Sequence, residues 1–478
     1  MIIGRKAMAR LPKSWLPFAD AASPELPLRQ LLRLSLFQVS VGMATVLLLG
    51  TLNRVMIVEL GVPAMVVALM IAIPVLVAPF RAFLGHRSDT HKSAIGWKRI
   101  PYMWFGSLWQ MGGLAVMPFA LIVLSGDQTT GPAWAGEALA AIAFLMTGLG
   151  LHMSQTAGLA LASDRATDET RPRVVAMLYV MNLLGMAVSA LILGWLLRDY
   201  DPITLVQVVQ GCAVMTMVLN MVALWKQEQV RPMTREERSE PRPSFRAAWA
   251  DLMAGGQAGR LLAVVALGTA AFAMQDVLLE PYGAEILGLS VGQTTWLTAA
   301  SSLGALTGFL VAGRWLSRGL DPFRMAARGL LVGIAAFSCV VFAAPMHSVA
   351  LFFVGATGIG LGVGLFAVAT LMAAMALPSK GTLGAGLALG AWGAAQATAA
   401  GLAIFTGGAL RDAFAHLIRQ GALGDVLTDP ALAYSFVYHI EIGLLFATII
   451  ALGPLVRISI YHNNPKTAQG IALPEFPT

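Results

Sequence analysis

Residues 226–260, KQEQVRPMTREERSEPRPSFRAAWADLMAGGQAGR, form the longest polar run between apolar segments of the chain. Seven of them are Lys or Arg, and Glu236, Glu237, Arg238, Pro241 and Pro243 interrupt any apolar period. Working outward, we looked for runs of about 20 apolar residues, the length that crosses a bilayer as a helix. Before the polar run they fall near 34–57, 63–84, 102–124, 136–161, 174–197 and 203–225. After it they fall near 261–281, 291–313, 326–344, 348–377, 384–406 and 436–460, so the run divides the chain six plus six.

Composition points the same way. Of 478 residues, 57% are hydrophobic and 12% charged, against roughly 25% charged in soluble domains. A soluble globular protein is excluded. So are disordered, collagen-like and disulfide-stapled classes, given the few charges, 49 glycines without a three-residue period and two cysteines, Cys212 and Cys339, within apolar segments. Arg5, Lys6, Arg10 and Lys13 resemble the start of a signal peptide. Pro12, Pro17, Asp20, Pro24 and Pro27 then interrupt it, so no cleavable segment is expected.

The net charge of +7 reads as loop asymmetry rather than as nucleic-acid binding. The two terminal segments and the even-numbered connections hold 28 of the 32 Lys and Arg residues, leaving Arg54, Arg198, Arg411 and Arg419 for the other side. The positive-inside rule then puts both termini in the cytoplasm. The expected organisation is a cytoplasmic segment 1–33, a six-helix bundle 34–225, a cytoplasmic linker 226–259, a second six-helix bundle 260–460 and a tail 461–478. This is an all-α polytopic membrane protein of twelve transmembrane helices with the 6+6 pseudo-symmetric architecture of the major facilitator superfamily. A second long insertion, Gly407–Tyr434, is expected on the opposite side from the linker.

Four groups of residues are candidates for function. The loop after the second span reads Gly85-His86-Arg87-Ser88-Asp89 and ends Trp97-Lys98-Arg99. It resembles the superfamily's loop signature, in which Gly permits close helix approach and Asp caps a helix or pairs with Arg; the alternative is a solvated basic loop. In the fourth span His152, Gln155 and Thr156 are spaced to share a helical face. An imidazole there can ligate a tetrapyrrole metal while an amide or hydroxyl bonds a peripheral carbonyl, or all three can bond neighbouring helices. In the seventh span Gln275, Asp276 and Glu280 precede Pro281. Asp276 and Glu280 are four apart, and two carboxylates on one face at membrane depth suggest proton coupling. Asn53, Arg54 and Glu59 suggest a polar cluster at the end of span one; Glu441 is left without a sharper role. No Walker A, zinc spacing, nucleophile elbow or dinucleotide fingerprint occurs in a convincing context, which disfavours an ATP-driven pump or a conventional enzyme.

Specific strings go further: LSLFQVSVGMATVLLLGTLNRVMIVELG (34–61), FRAFLGHRSDTHKSAIGWKRIPYM (80–103), QTAGLALASD (155–164), RPRVVAMLYVM (171–181) and QDVLLEPYG (275–283). Together, over roughly residues 30–460, the chain resembles the PucC/LhaA family of light-harvesting-complex assembly factors, the bacteriochlorophyll delivery branch of the superfamily. Its first-half strings are more similar to the type associated with the core antenna LH1. The resemblance implies a non-enzymatic assembly factor of the bacterial inner, photosynthetic membrane that binds bacteriochlorophyll a, with carotenoid as a further possible pigment. Implied partners are the LH1 alpha and beta polypeptides, the reaction-centre complex, bacteriochlorophyll synthase and the membrane insertion machinery. His152 falls at a family motif, which implies a pigment-related role and makes it the candidate axial ligand to magnesium. Two rivals stay open: a proton-coupled transporter of an amphipathic solute using Asp276 and Glu280, and an assembly scaffold without pigment.

Overall fold

The computed structural model describes residues 22–23, 26–76, 97, 99–126, 132, 134–167, 170–228, 257–316, 318–375, 384–422, 424 and 428–463. All their regular secondary structure is helical, as a bilayer demands of a chain that must satisfy its own backbone hydrogen bonds. The elements are α1 (Leu28–Leu34), α2 (Leu36–Thr45), α3 (Ala64–Leu76), α4 (Ile100–Leu124), α5 (Ala135–Arg165), α6 (Arg171–Leu196) and α7 (Pro202–Leu224). There follow α8 (Gln257–Ala273), α9 (Leu279–Glu285), α10 (Val291–Leu316), α11 (Pro322–Ala343), α12 (Val349–Met375), α13 (Gly384–Arg419) and α14 (Ala431–Asn463). Among the described residues ten segments are long and apolar enough to cross a membrane, and they correspond to ten of the twelve expected spans. The other two are α3, whose expected continuation to residue 84 lies outside the described residues, and α13. The linker 229–256 and most of both terminal segments also lie outside them.

Three boundaries differ from expectation for the same reason, polar residues that find partners and let a helix run on. Span one starts at Leu28 rather than 34, because Arg33 donates to the Trp225 carbonyl and Gln30 Nε2 to the Lys226 carbonyl at 3.0 Å. α13 continues to Arg419, so the first half of the expected 407–434 insertion is helix. Its Arg411 is neutralised by Asp412 (2.9 Å) and bonded to the Tyr434 hydroxyl (2.8 Å). α14 starts at Ala431, where Asp429 accepts the Ala431 N–H at 2.8 Å.

Two helices begin on an Asp-Pro pair. Asp201 accepts the N–H groups of Ile203 and Thr204 at 3.0 and 3.2 Å, and Asp321 accepts that of Arg324 at 2.9 Å. Each Pro sits where a helix has an N–H to spare.

The chain forms two compact units, residues 1–241 with 277–302, and residues 242–276 with 303–478. The expected division at the linker is therefore modified, with the end of span seven and the start of span eight packing in the first unit. Each unit has a pair of helices in near backbone contact at glycines. In the first, a Cβ on Gly150 of α5 would lie 2.6 Å from the Gly106 carbonyl of α4; in the second, Cβ atoms on Gly329 of α11 and Gly362 of α12 would each lie 2.8 Å from the other's carbonyl. Small residues at such crossings drive association where lipid supplies no hydrophobic force.

Candidate functional site

Between α2, α4, α5 and α7 the buried polar groups of the first unit are neutral amides and hydroxyls. Gln110 of α4 donates from Nε2 to Ser40 of α2, at 3.0 Å to its carbonyl and 3.1 Å to its hydroxyl. Gln155 Nε2 lies 3.5 Å from Gln38 Oε1, and Gln38 is fully buried with its own Nε2 lacking a partner among the described residues. Thr216 and Asn220, one turn apart on α7, are buried with side-chain atoms unpartnered. His152, Gln155 and Thr156 all lie on α5 and are half-buried. The Thr156 hydroxyl donates back to the His152 carbonyl at 2.8 Å, so it is already spent on its own helix. His152 and Gln155 on α5 and Gln38 on α2 carry the imidazole and the amides of this region; Gln38 lies in span one, where no spacing along span four points to it.

At the far end of span one the backbone widens into π-helix, over Val46–Leu52 and again over Val55–Glu59. Asn53 and Arg54 sit between these segments. Asn53 Nδ2 donates to the carbonyls of Leu49 and Val277, both at 3.0 Å, and Arg54 pairs with Glu59 and reaches the Leu289 carbonyl at 3.4 Å. Thr51 and Thr295 hydroxyls lie 3.2 Å apart. Glu280 is 4% exposed; it accepts from the Thr298 hydroxyl and lies against Gly50. In the turn between α6 and α7, burial first and Glu59 second push the Tyr200 phenol above its ordinary range.

Arg99, at the start of α4, is buried and pairs with Asp164 at 2.9 Å, while Glu228 accepts the N–H groups of Arg99 and Ile100 at 3.1 Å. Two of the strings quoted above, ending the loop and ending QTAGLALASD, are therefore joined by one ion pair. Gly85 and Asp89 lie outside the described residues.

The expected Asp276–Glu280 pair is not formed on one helical face. The seventh span leaves α-helix after Ala273, makes one 3₁₀ turn over Met274–Val277 and resumes at Leu279. The break ends the register that an i, i+4 pair requires. Asp276 accepts from Gln275 Nε2, and Gln275 N–H donates to Glu441 of α14 at 2.8 Å. Glu441 is 0% exposed. It was the residue that the sequence left without a role, and its depth in HIEIG had no signal beyond one acid in an apolar run. Among the described residues no group of three or more His, Cys, Asp or Glu side chains that could hold a metal ion occurs.

Comparison with known proteins places this geometry. A protein of Rhodobacter capsulatus named "Uncharacterized protein in puhA-bchM intergenic region" is 66% identical, over 100% of both chains. "Protein PucC" of Rhodovulum sulfidophilum is 54% identical over 87% of this chain and 92% of its own. "Bacteriochlorophyll synthase 44.5 kDa chain" of Rhodobacter capsulatus is 29% identical over 89% and 98%. Solved structures that match are transporters. A bacterial homologue of the human lysosomal transporter Spinster has a TM-score of 0.64 at 13% identity, covering 89% of this chain and 95% of that one. A POT family transporter in complex with a thioalcohol-conjugated peptide has a TM-score of 0.64 at 13% identity, covering 92% and 99%. At that identity they show the fold alone, one shared with these transporters. The family model described as PUCC protein matches residues 51–460, and the chain belongs to the PUCC protein family.

Proposed function

We propose that this membrane protein is an assembly factor for a photosynthetic light-harvesting complex, the core antenna LH1, and that it holds bacteriochlorophyll a for delivery to the alpha and beta polypeptides around the reaction centre. The observation that supports this most is the family match over residues 51–460, together with 54% identity to a protein named PucC. The relative named for bacteriochlorophyll synthase supports the pigment. Within this reading the protein works in the bacterial inner, photosynthetic membrane, beside bacteriochlorophyll synthase and the insertion machinery, and is not an enzyme.

The residues of the first unit fit such a ligand. The half-buried imidazole of His152 would hold the magnesium of such a pigment, and the buried Gln38 Nε2, unpartnered among the described residues, would donate to a carbonyl on its ring. A bound chlorin supplies the light-absorbing magnesium macrocycle. The protein's own task is to orient it, shield it in an apolar unit and let it go, which favours one ligand and one hydrogen bond over a closed cage.

The test is the absorption spectrum and extracted pigment of the protein purified in mild detergent from a phototrophic host lacking antenna polypeptides. Stoichiometric bacteriochlorophyll, lowered in His152→Leu at normal membrane levels, is expected. Pigment unchanged in that variant removes His152 as principal ligand. No pigment at all, with antenna polypeptides still copurifying after pigment synthesis is blocked, replaces the carrier by a pigment-free scaffold.

A further inference from the structure

A second site, independent of any pigment, lies at the break in span seven. Where α8 gives way to the 3₁₀ turn, backbone groups leave the helical ladder and need partners from elsewhere. Glu441, reaching across from α14, accepts the Gln275 N–H at 2.8 Å through Oε1, with the Met274 N–H as a second backbone donor to its carboxyl group. Its other oxygen, Oε2, has no partner among the described residues. Neither has Oε1 of Gln275, a residue 6% exposed whose own N–H already holds the same carboxyl group. Two acceptors stand open and no donor is supplied to either, so the break is one hydrogen short of a complete hydrogen-bond set.

We propose that Glu441 is a proton-binding site whose Oε2 gains and loses a proton, with Gln275 Oε1 as the acceptor of the resulting O–H. The proton comes from water and returns to it, and no bond other than O–H forms or breaks. Two open acceptors are too few for a hard cation such as magnesium or calcium, which takes roughly six or more oxygens. As an anion, Glu441 makes charge-assisted bonds to the backbone at the break; protonation removes that assistance, which makes such bonds roughly twice as strong as neutral ones. The clasp between α14 and span seven therefore loosens when the proton binds.

The other acid at the break is Asp276, in the same 3₁₀ turn as Gln275. From α11 comes the Phe337 ring, 6.3 Å from that of Phe272 and 6.1 Å from that of Tyr438. α13 brings Arg411, engaged with Asp412 and Tyr434. On α14 itself are Tyr438, and the exposed His439, whose Nδ1 lies 2.7 Å from the Ser435 carbonyl. Asp276 accepts from Gln275 Nε2.

The test uses the full-length protein in lipid nanodiscs. Infrared difference spectra on acidification are expected to show a protonated-carboxyl C=O band that is absent from Glu441→Gln and kept in Glu280→Gln. Amide exchange of the peptide containing Gln275, corrected for the intrinsic pH dependence, is expected to quicken in acid in the wild type and to be independent of pH in Glu441→Gln. A band that persists in Glu441→Gln, or that sodium ions abolish at fixed pH, overturns the proposal. Should Glu441→Gln fail to fold, Glu441→Asp keeps an acid there: a displaced band supports the assignment and an unmoved band overturns it.

Discussion

Two regions of the molecule bury polar groups of different kinds: the interior of the first unit between α2, α4, α5 and α7, and the break in span seven in the second unit. The first unit's buried charges, Arg54, Arg99 and Glu280, lie outside the first of these regions. In the first, Gln38, Ser40, Gln110, Gln155, Thr216 and Asn220 give neutral donors and acceptors, several of them unfilled. In the second, a fully buried glutamate is placed against backbone groups that a broken helix has released. An unfilled neutral amide among apolar helices costs about 1–3 kcal/mol, less than an unsatisfied buried charge, and on the proposed function it would bond an uncharged, carbonyl-bearing ligand reversibly. A buried carboxylate costs several kcal/mol unless it is satisfied, so it is retained where its charge state matters. On the two proposals made above, one fold would carry a ligand-binding region in one unit and a proton-binding group in the other.

Substitutions separate the two kinds. Glu441→Leu leaves the Gln275 N–H buried without an acceptor, and should cost about 3 kcal/mol, given about 1–3 kcal/mol for each orphaned group, read as a lowered thermal midpoint in nanodiscs. A midpoint like that of the wild type would show that the clasp is dispensable. Next, Gly106→Leu and Gly329→Leu should each cost about 2 kcal/mol by overpacking against backbone that cannot give way. Because the crossings are alike, a large difference between the two would break the equivalence of the pairs. Asp201→Ala and Asp321→Ala should each cost about 1 kcal/mol, the ordinary value of a helix cap. The smallest effect is expected from Gln110→Leu, under about 1 kcal/mol. The Ser40 carbonyl it bonds lies within a helix, and replacing a half-satisfied amide by an apolar group of like size is nearly neutral. A loss as large as that of Glu441→Leu would mean that the first unit's amides are structural glue.

The spans were legible because a bilayer imposes length and apolarity directly on the sequence. The helix ends at Leu28 and Arg419 were not, because a charge reads as a break unless its partner is known, and Trp225 and Tyr434 are far along the chain from Arg33 and Arg411. Asp276 and Glu280 attracted notice as acids at depth, yet the pairing assumed an unbroken helix, and spacing cannot report a 3₁₀ turn at Met274. Gln38 and Gln110 escaped because a search guided by charge passes over amides. The sequence cannot tell that Glu441 is buried, since only packing distinguishes a buried acid from one at a helix end.

The π-helical stretches of span one have a consequence for how this sequence tolerates change in length. Deleting a residue from a regular α-helix swings everything beyond it by about 100° and moves every face out of register. A π-turn holds one residue more than an α-turn between the same flanks. Removing one residue from Val46–Leu52 lets the turn close into α-helix with Asn53 and Arg54 still facing their partners. Span one is accordingly the place in this protein where a single-codon deletion is most readily absorbed, whereas the same deletion in α5 would turn His152 or Asp164 away from its surroundings.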